Sequence, residues 1–256
     1  MLHHVRKAAP PSPSKMPEVR AARAIQDRNE ARFSHASQRV MRELFTGEQM
    51  KRLKAAIRSG ERSVERILDS MLWFNPADPD SVAFWTRLVS NVSRAYEATI
   101  QESGSYTMRH YGFPLRFEVT KQAEHGTVAA ELLVPINPAS IAWIREKSAS
   151  LVVDISEGQR KRLRRILSWN FERGMRPESV LAEIEATVGL TETQAQWVLT
   201  RQDLAIARGA PAGQARQDAQ RFADKLLKRR AKTIARTETI DAHTKGLKDA
   251  WNIAKE

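Results

Sequence analysis

Cysteine is absent from all 256 residues, which excludes a disulfide framework and any thiolate metal site and fits synthesis in a reducing cytoplasm. Long apolar runs are missing too. No stretch approaches the roughly 18 consecutive apolar residues of a membrane span, so a soluble chain with no membrane partner is expected. Residues 1–20 carry His3, His4, Arg6 and Lys7 followed by four prolines, without the apolar core of a secretory signal. They read as a flexible, basic, proline-rich arm. The six histidines, His3, His4, His35, His110, His125 and His243, show neither HExxH nor any paired ligand spacing, and a GxxxxGK[ST] phosphate loop is lacking. No metal, no cofactor and no catalytic residue is expected, and the chain does not read as an enzyme. A solenoid is not indicated either, because the stretch 126–189 repeats nowhere else.

Positive charge is abundant, a net +12, and unevenly placed. Residues 1–60 hold 13 Lys and Arg against 5 Asp and Glu, residues 61–150 hold 9 against 11, and residues 151–256 hold 20 against 14. The two ends are basic and the middle is not. Such ends suit DNA phosphate, and they equally suit solvated helix faces that meet an acidic protein.

Periodicity predicts a mainly α chain, an irregular multi-helix assembly. Val40 and Leu44, then Met50, Leu53 and Ile57, recur at three or four and break near Gly47, giving two helices. Gly60 closes the second, and Val64, Ile67, Leu68, Met71 and Leu72 stripe a short third. The run 75–79 interrupts it. Trp85, Leu88, Val92 and Tyr96 mark a helix expected to end near Gly104. Alternation over Leu115–Val119 and turn residues at Glu124–Gly126 predict a small β-hairpin near residues 115–134. From Asn137 as N-cap and Pro138 at the first helical position, Ile141, Ile144, Leu151 and Ile155 follow. Ser156 and Gln159 have capping-box spacing for a new helix ending at Gly174, and Thr191 with Gln194 repeats the pattern. Pro177–Gly189 makes a helix with Leu181, Ile184 and Val188 on one face. After the break at 209–213, one long helix or two in line run to about Ala254. The organisation is thus an arm over 1–20, an N-terminal helical region over 21–104, a connector over 105–136 and a C-terminal helical region over 137–256.

Two stretches concentrate cations. Arg160, Lys161, Arg162, Arg164 and Arg165 are the densest cluster, with Leu163, Ile166, Leu167 and Phe171 giving the same helix an apolar side. Lys225, Arg229, Lys232 and Arg236, at i, i+4, i+7 and i+11, line one exposed strip. Arg160, Lys161, Arg164, Arg165 and the four strip residues are candidate contacts for duplex DNA, non-specific because nothing in the pattern reads bases. No aromatic residue interleaves with the cluster, which disfavours single-strand stacking. On the strip's own helix, Leu227, Ala231, Ile234, Glu238 and Ala242 share another side, so Glu238 sits in a small, apolar stripe and needs a partner. Arg230 or an arginine of another helix could supply it, in an ion pair that fixes packing. Residues 177–202 resemble a helix-turn-helix unit, with a DNA-binding regulator as the alternative function. Its second helix opens Thr191-Glu192-Thr193-Gln194 and has Arg201 only near its end, where base contacts are unusual.

The stretch RRAKTIARTETIDAHTKG, residues 229–246, resembles the signature of the Mu F-like phage head morphogenesis, or minor head protein, family. The likeness extends through INPASIAWIREKSASLVVDISEGQRKRLRRIL, FERGMRPESVLAEIEATVGLTETQAQ and FADKLLKRR, and more weakly to RELFTGEQMKRLKAAI and LWFNPADPDSVAFWTRL. It implies a minor capsid protein present in few copies, at the portal vertex or in the head interior of the virion, made in the host cytoplasm. It also implies portal protein or major capsid protein, and packaged double-stranded DNA, as partners in head assembly or DNA delivery. The signature positions are Arg230, Ala231, Ile234, Ala235, Arg236, Thr237 and Glu238, expected to be structural or partner-binding.

Overall fold

The computed structural model describes residues 17–45, 47–71, 73, 77–110 and 138–255. The hairpin expected at 115–134, the N-cap Asn137 and most of the arm lie outside the described residues. Among the described residues there are eight α-helices and no strand: α1 (Pro17–Glu43), α2 (Glu48–Arg58), α3 (Val64–Asp69), α4 (Pro79–His110), α5 (Pro138–Glu172), α6 (Pro177–Ala186), α7 (Glu192–Ala207) and α8 (Ala212–Lys255). Prolines open α4, α5 and α6, where a missing N–H costs nothing and the ring presets φ. The Thr191 and Gln194 capping box is formed in full, each side chain bonding the other's backbone N–H.

Two expected boundaries are absent, each for a packing reason. The helix expected to stop near Gly104 runs on to His110. Gly104 instead faces Gly246 of α8, where a Cβ on Gly246 would lie 2.7 Å from the Ile100 carbonyl and 3.3 Å from the Gly104 nitrogen. The glycine pair lets two backbones touch. Ser156 and Gln159 do not cap anything, because α5 passes through them unbroken and both are buried. Their spacing matches a capping box, and tertiary hydrogen bonds claim the glutamine instead. The C-terminal segment is one helix of 44 residues, without a joint.

Contacts fix the directions of the long helices. Tyr96 meets Glu238, Ser103 meets His243 and Met108 meets Ala250, so α4 and α8 run parallel. Arg28 pairs with Glu102 and Arg87 with Glu43, so α1 runs antiparallel to α4. Ser93 bonds Ser148 at 3.0 Å, while Ser140 meets Asp249, so α5 runs antiparallel to both α4 and α8. One hydrophobic core spans both halves of the chain, from Phe33, Leu53 and Ile67 through Leu88, Ile155 and Leu163 to Ala235 and Ala242. On α8 the inward face is a row of small residues, Ala215, Ala219, Ala223, Ala231, Ala235, Ala242 and Ala250, all buried. Small side chains bring the neighbouring helices close over the helix's length.

Candidate functional site

The signature stretch lies in the middle of α8, and its inward residues hold two polar clusters. The first surrounds the α6–α7 turn. Helix α6 ends at Ala186, leaving carbonyls without helical partners, and three long side chains from other helices collect them. Arg162 of α5 donates to the Ile184 carbonyl at 3.1 Å and to Thr187 Oγ1 at 2.6 Å. Gln159, one turn earlier, donates to the Leu190 carbonyl at 2.9 Å and accepts from the Gly189 N–H at 3.1 Å. Arg230 of α8 donates to the Gly189 carbonyl at 2.5 Å. Gly189 has φ 82, and a Cβ there would stand 2.6 Å from Leu227 Cδ1 and 3.2 Å from Met41 Cβ. Only glycine fits both the backbone and the space.

Arg162 is fully buried, and its guanidinium carbon lies 4.8 Å from the centre of the Phe45 ring. Burial, together with the charge of Arg230, pushes its pKa down to about 9. Its place corrects the sequence expectation, which set it among solvent-facing cations. It falls on the inward side of α5 beside Leu163 and Ile166, where the Ile184 carbonyl and the Thr187 hydroxyl accept from its Nη1 and its Nε and Nη2 are buried without a partner among the described residues.

The second cluster is around Glu238, which accepts a hydrogen bond from Tyr96 Oη. Among the described residues neither Arg230 nor another arginine pairs with it, where an ion pair was expected. Arg230 sits two turns away, about 12 Å along the axis, and is engaged with the α6–α7 turn. Tyr96 packs edge-on against Phe33 at 4.7 Å and Trp143 at 5.4 Å, a setting for a neutral phenol and not for a charge. Burial raises the Glu238 carboxyl above the ordinary carboxylate range, and the Tyr96 bond opposes that in part. Burial raises the Tyr96 phenol as well, followed by its bond to Glu238. Lys147 bonds Asp241 at 2.8 Å and reaches over the Trp143 ring, covering the seam.

The other signature residues divide between core and surface. Ala231 and Ala235 are fully buried and Ile234 is half-buried, while Arg236 and Thr237 are exposed. Arg236 lies 3.7 Å from Glu30 of α1.

The two cationic stretches do not stand alike. Arg164 bonds both carboxylate oxygens of Glu65 at 2.9 and 3.0 Å, Arg160 is 3.9 Å from Asp69 and sits over Trp73, and Arg165 is 3.8 Å from Glu192. The α5 cluster therefore ties α5 to α3 and α7. Lys161 alone among its exposed members has no carboxylate partner among the described residues. On α8, Lys225, Arg229 and Lys232 are exposed and face no carboxylate among the described residues. In the helix-turn-helix-like segment, the Gln194 side-chain oxygen accepts from the Thr191 N–H in its cap and Arg201 lies over the Phe222 ring, so both side chains are held within the fold.

Sequence reasoning missed Gln159 and Arg162 as the holders of the α6–α7 turn, and Tyr96 as the partner of Glu238. The alanine row of α8, spaced by four or about twice that from Ala215 to Ala250, was a readable sign that this helix is gripped along its length. No group of three or more His, Asp or Glu that could hold a metal occurs among the described residues. No helix among them is long and apolar enough to cross a membrane. Neither a protein-family model, a curated protein nor a solved structure matches this chain.

Proposed function

We propose that this chain is a minor head protein of a tailed bacteriophage, acting by binding and not by catalysis. It associates with portal protein or major capsid protein at the portal vertex or in the head interior, and touches packaged duplex DNA without sequence preference. The observation that carries this reading is the signature stretch of α8 and how its residues are used. Glu238 and Ala235 tie α8 to the N-terminal helices through Tyr96 and the shared core, Arg230 holds the α6–α7 turn and Ala231 is fully buried, which supports treating the motif as structural. The outward side of the same helix presents Lys225, Arg229 and Lys232, three cations spaced along one face and unopposed among the described residues. A duplex backbone meets such a face through phosphate alone.

Affinity purification of the tagged full chain, co-expressed with the portal protein and major capsid protein of the phage that encodes it, tests the assembly clause. Stable co-purification with either, and presence of the chain in purified heads, is the expected result. A chain found in neither complex nor head would overturn it. The DNA clause stands separately, and duplex binding that does not weaken with salt would remove that clause alone.

A further inference from the structure

Between α1 and α4 runs an open groove of about 690 Å3. Its α1 rim carries Arg28, Arg32, His35 and Arg39 at i, i+4, i+7 and i+11, a row about 16 Å long. Its α4 rim adds Arg94 and Asn91, and no carboxylate lines the groove. The acids near its ends are outnumbered. Glu102 accepts from both Arg28 and Arg32, and Glu43 pairs with both Arg39 and Arg87. Four guanidiniums share two carboxylates, and Arg94 meets none among the described residues. Between the rims lies a floor of methyl groups, from Ala31, Ala36, Ala95 and Ala98.

We propose that this groove seats an acidic, amphipathic segment of another protein. Its carboxylates meet the arginine rims, and its small apolar side chains lie on the alanine floor. The alanines let a second backbone approach closely, as in other helix-in-groove contacts. Nucleic acid fits less well. Packed helices stand roughly 8–10 Å apart, so a duplex, about twice that width, would rest on the rims and never reach the floor. A single strand would want aromatic platforms, and the lining holds no Phe, Tyr or Trp. The inference rests on the groove alone and holds whether or not the chain is a head component.

The test titrates the full chain into a fluorescein-labelled peptide of glutamate and alanine, with glutamates spaced to match the α1 row, and reads anisotropy. Saturable binding is expected, weakened about tenfold or more by Arg94→Glu, consistent with loss of a charge-assisted contact. Binding should largely return with Arg94→Lys and fall again with Ala31→Trp, which fills the floor from an exposed position. Lys232→Glu on α8 should leave it unchanged, and duplex DNA should not displace the peptide. Absence of binding, indifference to Arg94→Glu and Ala31→Trp, or equal loss with Lys232→Glu would overturn the proposal. So would displacement by a duplex whose own binding falls with Arg94→Glu, which would make the groove a nucleic-acid site.

Discussion

Arg160, Arg164 and Arg165 on α5 and Lys225, Arg229 and Lys232 on α8 carry equal formal charge and differ in what stands opposite them. Each of the α5 arginines lies within 4 Å of a carboxylate from α3 or α7, so its field is largely cancelled where it arises. The α8 cations face outward with none among the described residues. Density of charge in a sequence thus measures supply, and the opposing surface decides what remains for a partner. The denser stretch is the poorer candidate for DNA.

The largest effect is expected at the one member of the α5 cluster that is buried. Arg162→Ala removes both hydrogen bonds to the end of α6 and opens a cavity beneath Phe45, costing about 3 kcal/mol in denaturant unfolding. Arg162→Met, which keeps most of the volume and removes a buried charge, should cost less than half of that. Equal losses would mean that the hydrogen bonds, and not the cavity, dominate. Next comes DNA affinity. Replacing Lys225, Arg229 and Lys232 together by alanine should weaken duplex binding on the order of 100-fold at low salt and lower the slope of log K against log salt by about 3. Replacing Arg160, Arg164 and Arg165 should change affinity several-fold at most. The reverse order would break the comparison.

A smaller, pH-dependent effect belongs to Glu238. Because burial raises its carboxyl in the fold, the neutral form is favoured there. Its contribution is fully present below the ordinary carboxylate range and is lost as pH rises through the raised value. Glu238→Gln, which still accepts from Tyr96, should therefore flatten that decline and be more stable than the parent at neutral pH in denaturant unfolding. A variant whose stability falls with pH as steeply as the parent would contradict this. The smallest effect is at Arg164→Ala, whose partner Glu65 is solvent-exposed. Its thermal midpoint should barely move.

How much of this was legible follows from the range of the forces involved. Caps, prolines and the turn glycines act over four or five residues, so α1 to α3, α6, α7 and the break before α8 could be read directly. Gly104 and the pair Ser156 and Gln159 show where local signals mislead. Each has the chemistry of a helix end, and each serves a partner 30 or more residues away, Gly246 for Gly104 and Gly189 and Leu190 for Gln159. The alternation of sides on α5 told that Leu163 and Ile166 point inward, while the sequence groups Arg162 with the outward cations because burying an arginine is costly. The Ile184 carbonyl and Thr187 hydroxyl, brought by α6, are what receive it inside. For Glu238 the need for a partner was plain from its apolar neighbours. The identity of that partner was not, since Tyr96 is 142 residues away.

The proposed head role is tested most directly by crosslinking within intact heads of the phage that the proposal takes as the source of the chain. Formaldehyde fixation of DNA-filled heads, followed by mass spectrometry of nucleic-acid-linked peptides, should recover this chain with DNA attached between Lys225 and Lys232, and crosslinks from the chain to portal or major capsid protein. Absence of the chain from the heads, or DNA attached through Lys161 with none on α8, would contradict it.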